Sequence, residues 1–270
     1  LNLKYNLNDK NSLRLGASKT YTLPQAKEIS PYRYVGVNFN SQGNPNLKPS
    51  DHYNLDLKWD FNPTPTELIS LTAFYKLIKN PISRIEVASA GGYLSYENIA
   101  DKATVAGVEV EIRKNLFVRP VSNAAHGMNK LSLGLNGSYI YTNAKMPLAT
   151  VTTGSQLEGA APWIVNFDLS HNFTKGERSF VNTLVLNYVS DKIYTIGTQG
   201  YQDMMEQGVL TLDFVSQAKL NKHLSFNLKA RNLLNPSYKL SRKANENGEK
   251  VILNDYKKGI NISLGVSCTF

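Results

Sequence analysis

From Ile260 to the last residue, apolar and polar positions alternate without a break. Ile260, Ile262, Leu264, Val266, Cys268 and Phe270 share one parity, and Asn261, Ser263, Gly265, Ser267 and Thr269 the other. Successive side chains of a strand point to opposite faces, so the pattern predicts a strand with one apolar and one small polar face. A tilted strand of about 9–11 residues crosses a bilayer with lipid on one side and an aqueous lumen on the other. A half-buried strand of a soluble sandwich alternates in the same way, and this segment alone does not separate the two.

The pattern recurs upstream with varying sharpness. Residues 1–7 and 12–21 alternate on either side of the polar turn 8–11, a hairpin signal. Tyr53, Leu55, Leu57, Trp59 and Phe61 oppose His52, Asn54, Asp56, Lys58 and Asp60, a contrast that suits a strand between lipid and water. Pro63 and Pro65 mark a turn, and Ile69, Leu71, Ala73, Tyr75 and Leu77 carry the chain back. Ala106, Val108, Val110 and Ile112 oppose Gly107, Glu109, Glu111 and Arg113. Repeated charge inside a strand is costly in a core and cheap in a wet lumen. Further apolar rows run through Leu131–Tyr141, Trp163–Phe173, Leu210–Leu220 and Leu224–Ala230, while 180–188 is a strand whose alternation is blurred. The total is about eleven strands.

Their connections alternate in length. Short turns fall at 8–11, 62–67, 174–178 and 221–222, with an intermediate one near 114–129. Long loops fall at 22–49, 80–102, 144–162, 190–208 and 235–257, the last with Asn247 and Gly248 as a hairpin-tip signal. Outer-membrane barrels keep short turns at the periplasmic end and long loops outside, whereas a sandwich has no general reason to sort them. The expected fold is therefore all-β, an antiparallel transmembrane β-barrel. An odd strand count places the two ends on opposite sides, although single-chain bacterial barrels have an even number. Residues 1–270 are thus expected to be the C-terminal half of a larger barrel whose earlier strands are absent from this chain. Leu1 already lies inside the alternation and no signal peptide is read before it, so the expectation is either a removed signal or a piece of something longer.

Composition narrows the function classes. The 270 residues are 41% hydrophobic, but no apolar run is long enough for a membrane helix. A net charge of +9 raises nucleic acid as a partner; the lysines and arginines scatter over strand ends and loops without a basic motif, so nucleic acid is not expected. Cys268, alone, has no disulfide partner and is expected as a small buried hydrophobe. His52, His126, His171 and His223 lack ligand spacing, so no metal site is expected. Glu109 and Glu111 are read as lumen carboxylates paired with Arg113 or a neighbouring lysine, and Gly91-Gly92 as a loop rather than a phosphate cradle. No catalytic constellation and no cofactor signature is present, so an enzyme is not expected.

Several stretches together resemble TonB-dependent outer-membrane receptors, particularly the Bacteroidetes type. They are Gly43-Asn44-Pro45-Asn46-Leu47-Lys48-Pro49 before the strand at 53–61, and Ala73-Phe74-Tyr75-Lys76 followed by Asn80-Pro81-Ile82. They continue with Gly107-Val108-Glu109-Val110-Glu111, Arg231-Asn232-Leu233-Leu234-Asn235 with Tyr238, and Leu264-Gly265-Val266-Ser267 running to Phe270. The resemblance implies about half of a barrel of roughly 22 strands, with the plug domain, TonB box and first strands missing from the chain. It also implies uptake of a bulky, scarce ligand such as an iron-siderophore, glycan or peptide, energised by the TonB complex through that plug. Outer-membrane lipid, the barrel-assembly machinery (through the strand ending in Phe270) and a surface lipoprotein are the other partners it implies.

The long loops supply the candidate ligand contacts. Tyr32, Arg33 and Tyr34, then Tyr93 and Tyr96, then Tyr194 and Tyr201 combine aromatics with a cation, which suits stacking and cation–π recognition. Trp59, Phe61, Trp163 and Phe270 are expected in the membrane-interface girdle. Two rivals stay open at this point: a plugless diffusion channel, and a soluble all-β binding module.

Overall fold

All eleven alternating segments become strands of one antiparallel sheet in the computed structural model, which describes residues 1–87, 92–121, 127–146, 156–244 and 248–270. Gly91, His126 and Asn247 lie outside the described residues. The first hairpin is β1 (Asn2–Asn6) and β2 (Asn11–Thr22). The loop after it carries one helical turn, α1 (Ala26–Ile29), and the short strands β3 (Arg33–Tyr34) and β4 (Ser41–Gln42). Next come β5 (Ser50–Phe61) and β6 (Leu68–Lys79), a loop hairpin of β7 (Ile82–Val87) and β8 (Tyr93–Asn98), and then β9 (Lys102–Pro120) and β10 (Met128–Ala144). β11 (Trp163–Lys175) and β12 (Arg178–Val189) follow, with loop strands β13 (Lys192–Thr195) and β14 (Met204–Glu206) beyond them. The chain ends with β15 (Val209–Lys219), β16 (Leu224–Arg231), the loop hairpin β17 (Ser237–Lys243) and β18 (Lys250–Lys257), and β19 (Asn261–Cys268).

Register turns the alternation of each strand into continuous faces. One row across eight strands reads Ser12, Asp60, Ser70, Glu111, Asn136, Asn166, Asn187 and Thr211, polar throughout. The row on the other parity reads Leu13, Trp59, Leu71, Val110, Gly137, Val165, Tyr188 and Leu210. Such rows are the sheet's unit of side-chain interaction, and a slip of one residue would exchange the two faces. The polar row is cross-linked: the Asn166 side-chain amide donates to Asn136 Oδ1 at 3.4 Å, and that of Asn187 donates to Asn166 Oδ1. Arg113 pairs with Glu111 at 2.7 Å, and Arg14 and Lys58 flank Asp60 at 3.4 and 3.5 Å, so the expected ion pairing of Glu111 on this face is present.

Among the described residues, the apolar face has no protein against it. Leu264 is 70% exposed and Ile262 69%, and Leu55, Leu57, Leu71 and Val108 also lie open. Cys268 is exposed on this face rather than buried, because none of the described residues packs over the terminal strand. The sheet runs from β1 at one edge to β19 at the other and does not close on itself.

Three local features depart from the sequence reading. β9 runs well into the stretch near 114–129 expected as a turn, to 120, and β10 starts at 128, because Ser132 pairs with Asn115 and Leu131 with Phe117. Leu116 is thus left over as a bulge, which switches the outward parity and hides the extension from a period-of-two reading. The connection at Asn221 and Lys222 spans 220–223, where Asn221 Oδ1 accepts from the amides of His223 and Leu224, each at 2.9 Å. The long loops, finally, are not structureless. They form two further four-stranded sheets, β13-β14-β17-β18 and β3-β4-β8-β7.

The buried apolar core sits in these loops. Ile85, Ile99, Ala100, Leu157, Ile193 and Ile196 cluster there, against Ala103 and Ala144 at the upper ends of β9 and β10. A parallel bridge between Ile85 and Ile196 joins the second loop to the fourth, with the Glu86 amide donating to the Ile196 carbonyl at 3.1 Å and the Ile196 amide to the Arg84 carbonyl at 3.0 Å.

Candidate functional site

Three stretches of the sequence resemblance set the loop geometry. In Gly43-Asn44-Pro45-Asn46, Gly43 passes so close to α1 that a Cβ would meet the Ser30 carbonyl oxygen at 2.3 Å, which only glycine avoids. The Asn44 amide donates to the Glu28 carbonyl at 2.6 Å, and its side chain to the Tyr96 carbonyl at 3.0 Å. Asn98 receives the Lys48 amide at 2.8 Å and donates back to the Lys48 and Asn80 carbonyls. The first loop is thereby fastened to the β7–β8 hairpin, with Tyr96 at the junction. In the strand motif, Gly107 lies opposite Phe74, whose ring would be 2.4 Å from a Cβ there, so the glycine makes room for that ring on the polar face. In the Arg231–Asn235 stretch, Asn232 and Asn235 take positive φ of 58° and 42°, a conformation asparagine tolerates. Their side chains clasp Gly259, Asn232 donating to its carbonyl at 2.7 Å and Asn235 accepting its amide at 3.1 Å. That clasp turns the chain into β19 and carries the β17–β18 hairpin above it.

At the long-loop end these elements enclose a cleft of about 480 Å³, lined by Lys27, Phe39, Arg84, Tyr96, Tyr194 and Tyr238 among others, with Lys239 and Tyr256 at the β17–β18 side. Phe39 and Tyr194 face each other with ring centroids 6.2 Å apart, and Tyr238 stacks on Tyr256 at 5.5 Å. The Arg84 guanidinium lies 4.4 Å from the Tyr194 ring and 3.2 Å from Glu158. Burial pushes the Glu158 carboxyl up, and the Arg84 backbone amide and guanidinium work against that by stabilising its charged form. Burial likewise raises the Tyr96 hydroxyl, which remains protonated and able to donate at neutral pH. Arg242 pairs with Glu86 and ties the β17–β18 hairpin to the second loop.

Of the residues expected in the loops, Tyr96 and Tyr194 line the cleft. The others stand outside it. Tyr34 carries the Lys27 ammonium 5.4 Å from its ring, Arg33 lies over Tyr93 at 5.0 Å, and Arg242 over Tyr201 at 5.3 Å. Tyr32 is 74% exposed. Sequence reading missed Lys27, Phe39, Arg84, Lys239 and Tyr256 as lining residues. The available signal was a second tier of alternation, with Tyr238 and Leu240 matched by Asn254 and Tyr256 inside a stretch taken as loop. Trp59 stacks on Phe61 at 6.2 Å near the short-turn end, and Trp163 meets Tyr139 at 4.6 Å near the long-loop end. Phe270 is fully exposed. Among the described residues no three His, Cys, Asp or Glu side chains gather as a metal site. The cleft's means are stacking, cation–π contact, hydrogen bonding and charge.

Comparison with known proteins fixes the family. The family model described as TonB dependent receptor-like, beta-barrel matches residues 1–233. The iron-regulated outer membrane virulence protein of Vibrio cholerae serotype O1 is 25% identical over 219 residues, 77% of this chain and 31% of the relative. Among solved structures, the ferric enterobactin receptor PfeA of Pseudomonas aeruginosa aligns with a TM-score of 0.62 at 16% identity, covering 100% of this chain and 40% of the receptor. The ferric yersiniabactin uptake receptor FyuA of Yersinia pestis aligns at 0.61 and 15%, covering 99% and 36%. A copper transporter, OprC, aligns at 0.63 and 15%, covering 99% and 38%. This chain therefore spans about a third of the Vibrio relative's length and about two fifths of each receptor structure. With a lipid-ready outer face, a wet inner one and a family match over most of its length, the chain belongs to the TonB-dependent receptors and forms part of their outer-membrane β-barrel.

Proposed function

We propose that residues 1–270 are the C-terminal half of a plugged barrel of about 22 strands, and that the whole protein imports a bulky, scarce ligand, an iron chelate foremost. The observation that carries this reading is the loop-built cleft, aromatic and cationic, at the end of the sheet where the long loops converge. Aromatic faces flanked by Arg84, Lys27 and Lys239 suit an anionic, ring-bearing ligand. The relatives named for iron regulation and ferric uptake point the same way. In this account the upstream strands close the sheet against β1 and β19, a plug fills the lumen, and TonB pulls on that plug. The wall moves no proton and forms no bond. Trp59, Phe61, Trp163 and Phe270 serve as the interfacial girdle, and the terminal strand addresses the barrel-assembly machinery.

The experiment is uptake of radiolabelled ferric chelates by cells carrying the full-length gene, with and without a working TonB complex. Energy-dependent uptake supports the proposal. Steady single-channel conductance by the purified full-length protein in planar bilayers, with no TonB-dependent uptake, contradicts it in favour of a diffusion channel.

A further inference from the structure

The apolar face changes character at its upper rim. Going up the sheet toward the long loops, one row reads Ala17, Leu55, Tyr75, Ala106 and Tyr141, oily or aromatic across five strands. The next row of the same parity, about 7 Å higher at two residues of strand rise, begins with Lys19 and Tyr53. The row above that reads Tyr21, Asp51, Lys79 and Lys102. Three ammonium groups therefore stand on the outward face, immediately above side chains that face hydrocarbon. Lys19 and Lys79 both lean over the Tyr53 ring, each 5.5 Å from its centroid.

Among the described residues one carboxylate, Asp51, stands in this rim opposite Lys79, so protein balances the charge of the three lysines only in part. The rim's ion pairing among the described residues is confined to Lys19 with Asp51, at 3.3 Å. Lys79 and Lys102 occupy directly opposed positions on adjacent antiparallel strands, an arrangement in which like charges repel. A lumen-facing pair would be relieved by water and mobile ions. This pair lies on the lipid-facing parity at the level of the head groups, where lysine stems run along apolar surface and the ammoniums reach for the interface.

We infer that Lys19, Lys79 and Lys102 form a binding site for a phosphorylated lipid head group of the outer leaflet, with Tyr53 as its floor. A phosphate between Lys79 and Lys102 removes their mutual repulsion and leaves Lys19 to bridge Asp51 and a second anionic oxygen. Each lysine contributes about fivefold to affinity for an anionic head group. The site is independent of what the loop cleft binds.

The test uses the full-length receptor in mild detergent, incubated with bisphosphorylated lipid A or with its dephosphorylated form, bound lipid being read by native mass spectrometry. Wild-type protein should retain the phosphorylated lipid at least tenfold better, and excess inorganic phosphate should not replace it. K19Q/K79Q/K102Q should lose that preference, while K58Q/K76Q/K229Q, with the same loss of charge on the inner face, should keep it. Heat-modifiable migration on gels confirms that each variant is a folded barrel. Equal retention of both lipids by wild-type protein, a preference that survives in the first triple variant, or displacement by free phosphate overturns the inference; the wild-type arm decides the matter even if a variant fails to fold.

Discussion

The wall and the loop cap use the same apolar residue types for opposite ends. In the wall, Ile262 and Leu264 lie open, whereas in the cap Ile196 is 1% exposed and Ile85 5%. The wall is held by hydrogen-bond ladders and cross-strand rows, and its oil needs a solvent of its own kind. The cap is held by a packed core of its own, as a small soluble domain would be. One chain thus meets two solvents, and a substitution reads differently in each.

The largest difference should come from Ile196→Ala. Removing this buried side chain leaves a cavity, and we expect about 2–5 kcal/mol of lost cap stability, seen as accelerated hydrogen exchange across β7 and β13 with no change in heat-modifiable barrel migration. Next, Leu57→Arg on the outer face of β5 should cost about 2–4 kcal/mol in urea unfolding from liposomes, while Lys58→Leu, one residue on and facing the lumen, should change little. Equal costs for the two would erase the distinction between faces. Arg84→Ala should follow: it strips Glu158 of its pairing cation and Tyr194 of its cation–π partner. We expect ligand affinity to fall by about tenfold, corresponding to roughly 1.4 kcal/mol, in a binding titration with the full-length protein, and Arg84→Lys to restore only part of it.

The smallest effect is a pH dependence confined to the cap. The Glu158 carboxyl has a folded-state pKa raised above its ordinary 4.5, chiefly by burial. A raised carboxyl favours the folded state while it is protonated, so its contribution is full below about pH 4.5. That contribution is lost as pH rises through the raised value. Exchange in the loop strands should therefore quicken over that window, and Glu158→Gln should flatten the profile. A slope of the opposite sign would mean that the Arg84 pairing outweighs burial.

Most of the wall was legible because its code has period two and repeats along every strand. The blur at 180–188 has a simple cause: Val181 and Val185 sit on the lumen side of β12, so one face is less polar than its neighbours. The extension of β9 was hidden by the Leu116 bulge, where parity inverts. The cap was far less legible. Its strands are two to eight residues long, and the pairings that join its hairpins into sheets cross between loops, as with Ser41 beside Leu94 and Met205 beside Ser241. Tyr96 and Tyr194 were found because aromatics in long loops invite the guess. Arg84 and Phe39 were not, since only the fold brings residues of the first, second and fourth loops onto one cleft.

The central claim is that hydrocarbon lies against the odd-numbered residues of β5 and water against the even ones. Its most direct test is spin-label accessibility at successive positions 54–59 in the full-length receptor in liposomes, with Cys268 replaced by serine. The account predicts that collisions with dissolved oxygen peak at 55, 57 and 59, and that collisions with a water-soluble nickel chelate peak at 54, 56 and 58. Profiles in phase with each other, or an alternation of the opposite sense, would contradict it.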